Sequence, residues 1–385
     1  MLLVFTKINE FLPPCSIPCK IAEHILVRAL NNQLDNILSN SMVLDPDSHV
    51  RQLVVTYHEI AKLVDCGNVV HALVFRKAFD VVPHRLLIQK MVTAGIDSHL
   101  IAWVQHFLTN RKQRVVIQGR QSESITVSSG VPQGSVVGPK LFLLYINDLP
   151  DIVSCKISLF ADDTLIFCPV NNLSDFSGFQ SNINKISEWS DRWCMSFNVK
   201  KTQLLIFNNK SNIPHGKYML KNSEIDEISH ATYLGVVFQN DLKFNLHIEN
   251  KVNKASKILG LLKRTLYDAP KKTKLLAYTT ICRPILEYGS QVWDPHLRTQ
   301  CHTIERVQNL AIRFICGLKG RADSITTARQ LLGIETLEER RRNARIVLLS
   351  KLLSSGSDTF STFIDEYTNA INSSVLFTRS RGRDY

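Results

Sequence analysis

The sequence predicts an α+β protein whose C-terminal part is all helical, and three observations carry that prediction. Short apolar runs of strand character recur through the first 240 residues, at 69–75, 157–160, 164–167 and 203–207. Amphipathic stretches at 84–95, 98–108, 136–147 and 176–192 supply helices to cover the resulting sheet. From Phe244 onwards apolar residues step by three and four with no strand pattern. These signals divide the chain at 1–240, 241–318 and 319–385.

In order, residues 1–18 end in Pro13-Pro14 and Pro18 and form an irregular lead-in. Ile21, Ile25, Leu26, Leu30, Leu34 and Leu38 mark one side of a first helix, and Leu53–Asp65 a second, closed by Gly67. Val69–Phe75 is a strand. Arg114–Gln118 and Ser122–Val127 alternate around Gly119, a hairpin expected to join the same sheet as the hairpin at 157–167. Beyond Phe244, Ile248, Val252, Ala255, Leu259, Leu262 and Leu266 define one helix, followed by helices at 271–288, 301–316 and 336–353.

Net charge is +12, unevenly spread: residues 251–350 hold 19 of the 46 Lys and Arg but 8 of the 34 Asp and Glu. One region carrying nearly all the excess suits a grip on a phosphate backbone, although a solvated helical face gives the same pattern. The nine cysteines lack a repeated pair spacing, and Cys15 and Cys19 have no second pair to complete a zinc site, so reduced thiols are expected. Met1–Phe5 is too short for a signal-peptide core, and no window approaches a membrane span, which leads us to expect an intracellular protein.

The stretch most suggestive of chemistry is 129–167. The loop Ser129-Gly130-Val131-Pro132-Gln133-Gly134-Ser135 lets backbone approach a ligand closely, with Ser135 placed to cap a helix from Val136 to Asn147. Asp162-Asp163 lies between two apolar strands. A bare pair of aspartates also fits a polar turn, but two adjacent carboxylates at such a tip call for a cation such as Mg2+.

This loop, with Gly138-Pro139 and Leu141–Pro150, closely resembles the signature of reverse transcriptases of non-LTR retrotransposons, and Phe160-Ala161-Asp162-Asp163 resembles their catalytic hairpin. The resemblance extends more loosely from about residue 19 to about residue 350. It implies a right-hand polymerase: fingers and palm built on an antiparallel sheet, then a helical thumb. It also implies Mg2+ or Mn2+ as cofactor and an RNA template, a DNA primer and deoxynucleoside triphosphates as partners. By the same resemblance Asp162 and Asp163 hold metal, and Lys201 can protonate pyrophosphate. Phe79, which also reads as ordinary core, screens the sugar, and Pro132, Gln133 and Gly134 line the nucleotide site. Gly235 approaches the primer, and Lys251, Lys254 and Lys257 face the duplex backbone.

Two departures stand out. Val43–Val50 has no Lys, Arg or Gly where the family has a basic, glycine-containing stretch, leaving Arg51 as the nearest substitute. More importantly, the family places a metal-binding aspartate three residues before the Lys of Lys77-Ala78-Phe79-Asp80, and that position is Val74. An equivalent alignment places a two-residue gap between Val74 and Phe75, where Leu-Asp would restore the pattern. Asp80 lies six residues along and Asp65 nine back on a helix, so neither replaces it. Activity is therefore expected to be impaired, with a nucleic-acid-binding remnant as the alternative. No endonuclease segment precedes residue 1, so target cleavage is not expected of this chain.

Overall fold

The computed structural model describes residues 17–34, 48–76, 82–109, 111–132, 134–160, 163–195, 197–199, 202–207, 216–318, 320 and 324–354. In chain order the elements are α1 (Ile17–Leu34), α2 (Ser48–Asp65), β1 (Val70–Arg76), α3 (His84–Thr93) and α4 (Ser98–Leu108). Next come β2 (Lys112–Gln113), β3 (Val116–Ile117), β4 (Arg120–Gln121), β5 (Ile125–Thr126), α5 (Gly138–Ile146), β6 (Lys156–Phe160), β7 (Asp163–Pro169) and α6 (Leu173–Arg192). Then follow β8 (Gln203–Phe207), β9 (Met219–Leu220), β10 (Ser223–Glu224), β11 (Asp226–Ile228), β12 (His230–Tyr233) and β13 (Val236–Gln239). The helices α7 (Asn245–Thr265), α8 (Lys271–Ala277), α9 (Arg283–Glu287), α10 (Ser290–Trp293), α11 (Arg298–Cys316), α12 (Ile325–Leu331) and α13 (Leu337–Ser354) complete the described chain.

The chain forms two compact units. The first takes its described residues from Met1–Ser48, His58–Gly235 and Gln239–Leu242; the second takes His49–Tyr57, Val236–Phe238 and Lys243 onwards.

In the first unit five strands pair in the order β11-β8-β1-β7-β6. The pairs are antiparallel except β11 with β8, which is parallel. Side chains of a strand alternate between faces. Leu73, Phe75, Leu159, Ile166, Leu204 and Ile206 point to one face and join a core with Leu26 and Leu30 of α1, Leu87 and Met91 of α3, Phe142 of α5 and Ile183 of α6. Val70, Ala72, Val74, Leu165, Phe167, Leu205 and Phe207 occupy the other face and are buried as well. Central strand β1 is thus covered on both sides, which explains its unbroken apolar run.

Several expectations need correction. The 111–127 hairpin forms but does not join the main sheet: β2 pairs with β5 and β3 with β4 as separate two-stranded ribbons. The apolar stripe of α1 is divided, since Leu26, Leu30 and Leu34 are buried whereas Ile21 and Ile25 are 54% and 63% exposed. What α1 buries on the adjoining face is Glu23, whose carboxylate accepts the Val136 N–H at 2.6 Å. α5 begins at Gly138 rather than Val136, with Pro139 in its first turn and no side-chain cap.

One polar cluster lies within this core. Nζ of Lys90 donates to Tyr145 O at 2.5 Å and to Asp148 Oδ1 at 2.6 Å, and it sits over the rings of Trp193, Tyr145 and Trp189. Trp189 Nε1–H donates to the same Asp148 oxygen at 3.0 Å. Burial pulls the ammonium down to about 8, against the pull of Asp148.

The second unit is helical. α8 and α9 read as one helix in the sequence but are separated by a π turn, Tyr278–Cys282, in which Arg283 N–H bonds Tyr278 O, just ahead of Pro284. Proline offers no N–H to the preceding turn and crowds its carbonyls, so the wider turn resolves both problems. Three of the four arginines of α13 act inward: Arg340 pairs with Glu287 and Glu335, and fully buried Arg341 bonds Asp294 at 2.6 Å, with Arg345 on the other Asp294 oxygen. These cations of the basic region are therefore committed to holding the unit together. The described cysteines are all free thiols; Cys15 and the side chain of Cys19 lie outside the described residues.

Candidate active site

Asp163 opens β7 and is half buried, in register with Phe160 of β6 and Arg76 of β1. Val74 is 4% exposed on β1, in register with Leu165 on one side and Gln203 on the other. Directly paired residues share a face, and residues two apart on a strand do too. Val74, Leu165 and Asp163 therefore lie on one face of the sheet, opposite the Leu73 core. The position that the resemblance assigns to a metal-binding carboxylate thus shares a face with Asp163, about 7 Å along the strands from it, but it presents an isopropyl group. Asp162, Phe79, Asp80, Gln133 and Lys201 lie outside the described residues.

The glycine loop is held by bonds that the motif alone does not reveal. Gly130, at φ +87°, donates its N–H to Val82 O at 2.8 Å, while His84 Nε2–H donates to Gly130 O at 2.9 Å. Ser129 and Pro83 form an isolated bridge. Residues 82–84 and 129–130, which adjoin the motifs that the resemblance assigns to the nucleotide, are thereby fastened together, in part through His84, whose role sequence reasoning missed. Pro132 is buried, and its carbonyl accepts from the N–H of Ser135 at 3.3 Å and its hydroxyl at 2.8 Å. Ser135 Oγ in turn accepts the Gly138 N–H at 2.9 Å, serving the helix start from three residues away.

Gly138 and Gly134 have opposite reasons to be glycine. Gly134 is exposed at φ +81° with open space where a Cβ would go, whereas a Cβ on Gly138 would stand 2.6 Å from Pro132 O and 2.8 Å from Ser135 Oγ. Gly138→Ala is expected to destabilise by about 2–3 kcal/mol through overpacking against backbone. Gly134→Ala should cost only about 1–2 kcal/mol for its left-handed backbone. Denaturant titration of the two variants checks the order.

Of the residues assigned to nucleic acid, Gly235 is exposed at φ +77° and follows Leu234 at φ +44°, the two-residue turn between β12 and β13. In the second unit Lys254 and Lys257 of α7 are exposed, but Lys251 is half buried, its Nζ 5.6 Å from the Tyr288 ring centre. Burial, then the neighbouring Lys254, lowers its pKa. Arg51 is half buried on α2.

The described residues contain no group of three or more His, Cys, Asp or Glu placed to hold a metal ion. Of the carboxylates that the resemblance assigns to metal, Asp163 is described and Asp162 is not, and position 74 adds none.

A family model described as reverse transcriptase (RNA-dependent DNA polymerase) matches residues 13–238. The chain is 28% identical over 269 residues to a probable RNA-directed DNA polymerase from transposon X-element of Drosophila melanogaster, an alignment covering 66% of this chain and 29% of that relative. It is 26% identical over 339 residues to the probable RNA-directed DNA polymerase from transposon BS of the same fly, covering 81% and 37%. A solved structure of apo telomerase from Candida tropicalis aligns with a TM-score of 0.46 at 12% identity, covering 80% of this chain and 51% of that one. The family match takes in more than half of the sequence, and the chain belongs to the reverse transcriptase family. The relatives that it resembles include the RNA-directed DNA polymerases of transposon X-element and of mobile element jockey. The chain spans about a third of the length of the X-element and BS relatives.

Proposed function

We propose that this chain is the polymerase module of a non-LTR retrotransposon, shaped for template-directed nucleotidyl transfer onto a DNA primer along RNA, and that its chemistry is impaired at one position. The observation that carries the reading is Val74, buried at the centre of the sheet on the face of Asp163. Reverse transcriptases use divalent ions held by carboxylates from separate strands to activate the primer hydroxyl and steady the departing pyrophosphate. A valine has no lone pair to offer an ion.

The remaining parts support binding. The fastened loop at 129–135 offers backbone to a nucleotide, with Phe79 screening its sugar. Gly235 meets the primer, and the exposed Lys254 and Lys257 meet phosphates. On this reading Lys201 returns a proton to pyrophosphate. The second reading, a nucleic-acid-binding remnant, is favoured by the same valine. No helix among the described residues is long and apolar enough to cross a membrane.

Primer extension on an RNA template with Mg2+ or Mn2+, run beside salt-dependent binding of a primer–template duplex, tests both. Expected are duplex binding and extension at least about a thousandfold below an ordinary polymerase, from several kcal/mol of lost transition-state stabilisation. Extension at an ordinary rate would overturn the impairment, and absence of binding would overturn the polymerase module.

A further inference from the structure

We infer that the ribbon 111–127 is a second nucleic-acid contact, one that lies along the backbone of an RNA–DNA heteroduplex; this rests on the polymerase reading above. Its residues from Lys112 to Thr126 are exposed save for Val116, which is half buried. Yet it is well formed: Val127 N–H bonds Arg111 O at 2.9 Å, Ser122 N–H bonds Val115 O at 2.8 Å, and the Ser122 hydroxyl accepts the Val115 N–H at 2.9 Å. Gln118 at φ +50° and Gly119 at φ +79° make the tight turn whose twist suits a hairpin. A projecting ribbon this regular, with both faces in solvent, is shaped by something other than its own core.

Its side chains indicate what that is. Val115 and Ile117, 47% and 66% exposed, share a face with Arg120, the partner of Ile117. Ile125 is 64% exposed. Lys112 and Arg114 lie on the opposite face. Between 111 and 127 there are four cations, with Arg111, and a single acid, Glu123. Aliphatic residues left in water beside an excess of cations fit a polyanion with apolar edges, which is what sugar and phosphate present. The segment has no aromatic residue on which an unpaired base could stack. A duplex is therefore the better partner than a single strand. In an A-like heteroduplex the wide, shallow minor groove exposes the sugars to Val115 and Ile117 and brings a flanking phosphate within reach of Arg120 on the same face.

The test uses the full chain and a labelled RNA–DNA heteroduplex of arbitrary sequence, titrated across salt concentrations, with the RNA strand alone as a second probe. One variant carries Arg120→Gln, and a control carries Lys112→Gln and Arg114→Gln on the opposite face; these exposed positions leave the fold intact, which a melting curve verifies. If Arg120 meets a phosphate, the slope of log affinity against log salt falls by about 1 in Arg120→Gln and affinity drops alike for unrelated sequences, whereas the control pair changes the slope less. An unchanged slope with a wild type that binds normally would overturn the ribbon contact while leaving the polymerase reading standing. A wild type that does not bind heteroduplex would end both. Loss confined to the single strand would overturn the choice of duplex, and a change in sedimenting mass with unchanged binding would show that the ribbon meets another copy of the chain instead.

Discussion

Replacing Val74 by aspartate is expected to raise primer extension at least about a thousandfold over the unaltered chain. The strand register supports this size of effect. A carboxylate at 74 shares its face with Asp163, two residues along the paired strand, close enough for both to reach a pair of ions about 4 Å apart. Valine and aspartate are similar in volume, so the sheet need not move to admit the change. The cost is electrostatic: a carboxylate placed where the side chain is 4% exposed loses its hydration, on the order of several kcal/mol for an ion. A bound cation offsets that penalty. Mg2+ should therefore raise the melting temperature of Val74→Asp and leave that of the unaltered chain where it is, a readout independent of turnover. Adding Asp163→Asn should remove both gains. A Val74→Asp chain that gains stability with Mg2+ but extends no primer would shift the blame to Val43–Val50, the stretch without a basic residue.

The second large effect is expected at Lys90. Lys90→Ala removes an ammonium that satisfies Tyr145 O and Asp148 and leaves a hole among three aromatic rings, so we expect a loss of about 3 kcal/mol in denaturant titration. The pH dependence is the sharper readout. Lys90 loses its proton near pH 8 in the folded chain and near 10.5 in the unfolded one. Between those values the unfolded state binds more protons, so the Lys90 contribution to stability rises with pH from about 8 to about 10.5. The rise should be absent in Lys90→Ala. Parallel pH profiles for the two proteins would show that the ammonium is not depressed by burial.

Much of this arrangement was legible where local signals agreed. Helix α4 has the bounds read from the sequence because Asp97 caps it, accepting the N–H groups of His99 and Leu100. Strand β8 does too, since a β-rich run was free of competing helical spacing. The motif at 129–135 was visible as a pattern, whereas its fastening was not: His84 and Glu23 act across 46 and 113 residues of sequence, and no periodicity reports such partners. Glu23 also explains the misread stripe of α1, because a buried carboxylate with a backbone donor displaced the apolar residues expected on that side. The ribbon at 111–127 alternates as a sheet strand does, but alternation says only that a pleat exists. Which sheet it joins depends on long-range pairing that the pattern does not encode. Arg341 counts as surface charge in any tally, yet it is 1% exposed because Asp294 neutralises it from the Trp293–Pro295 segment.

The π turn at Tyr278–Cys282 makes length, rather than side-chain identity, the sensitive variable in that part of the chain. It holds one residue more than an ordinary turn, so everything after Cys282 is rotated by about 100° relative to an uninterrupted helix. Glu287 meets Arg340 only in that rotated frame. Loss of a single codon between 278 and 282 would swing the carboxylate away from its arginine, whereas many exchanges of one residue for another at the exposed Thr280 or Ile281 would pass unnoticed.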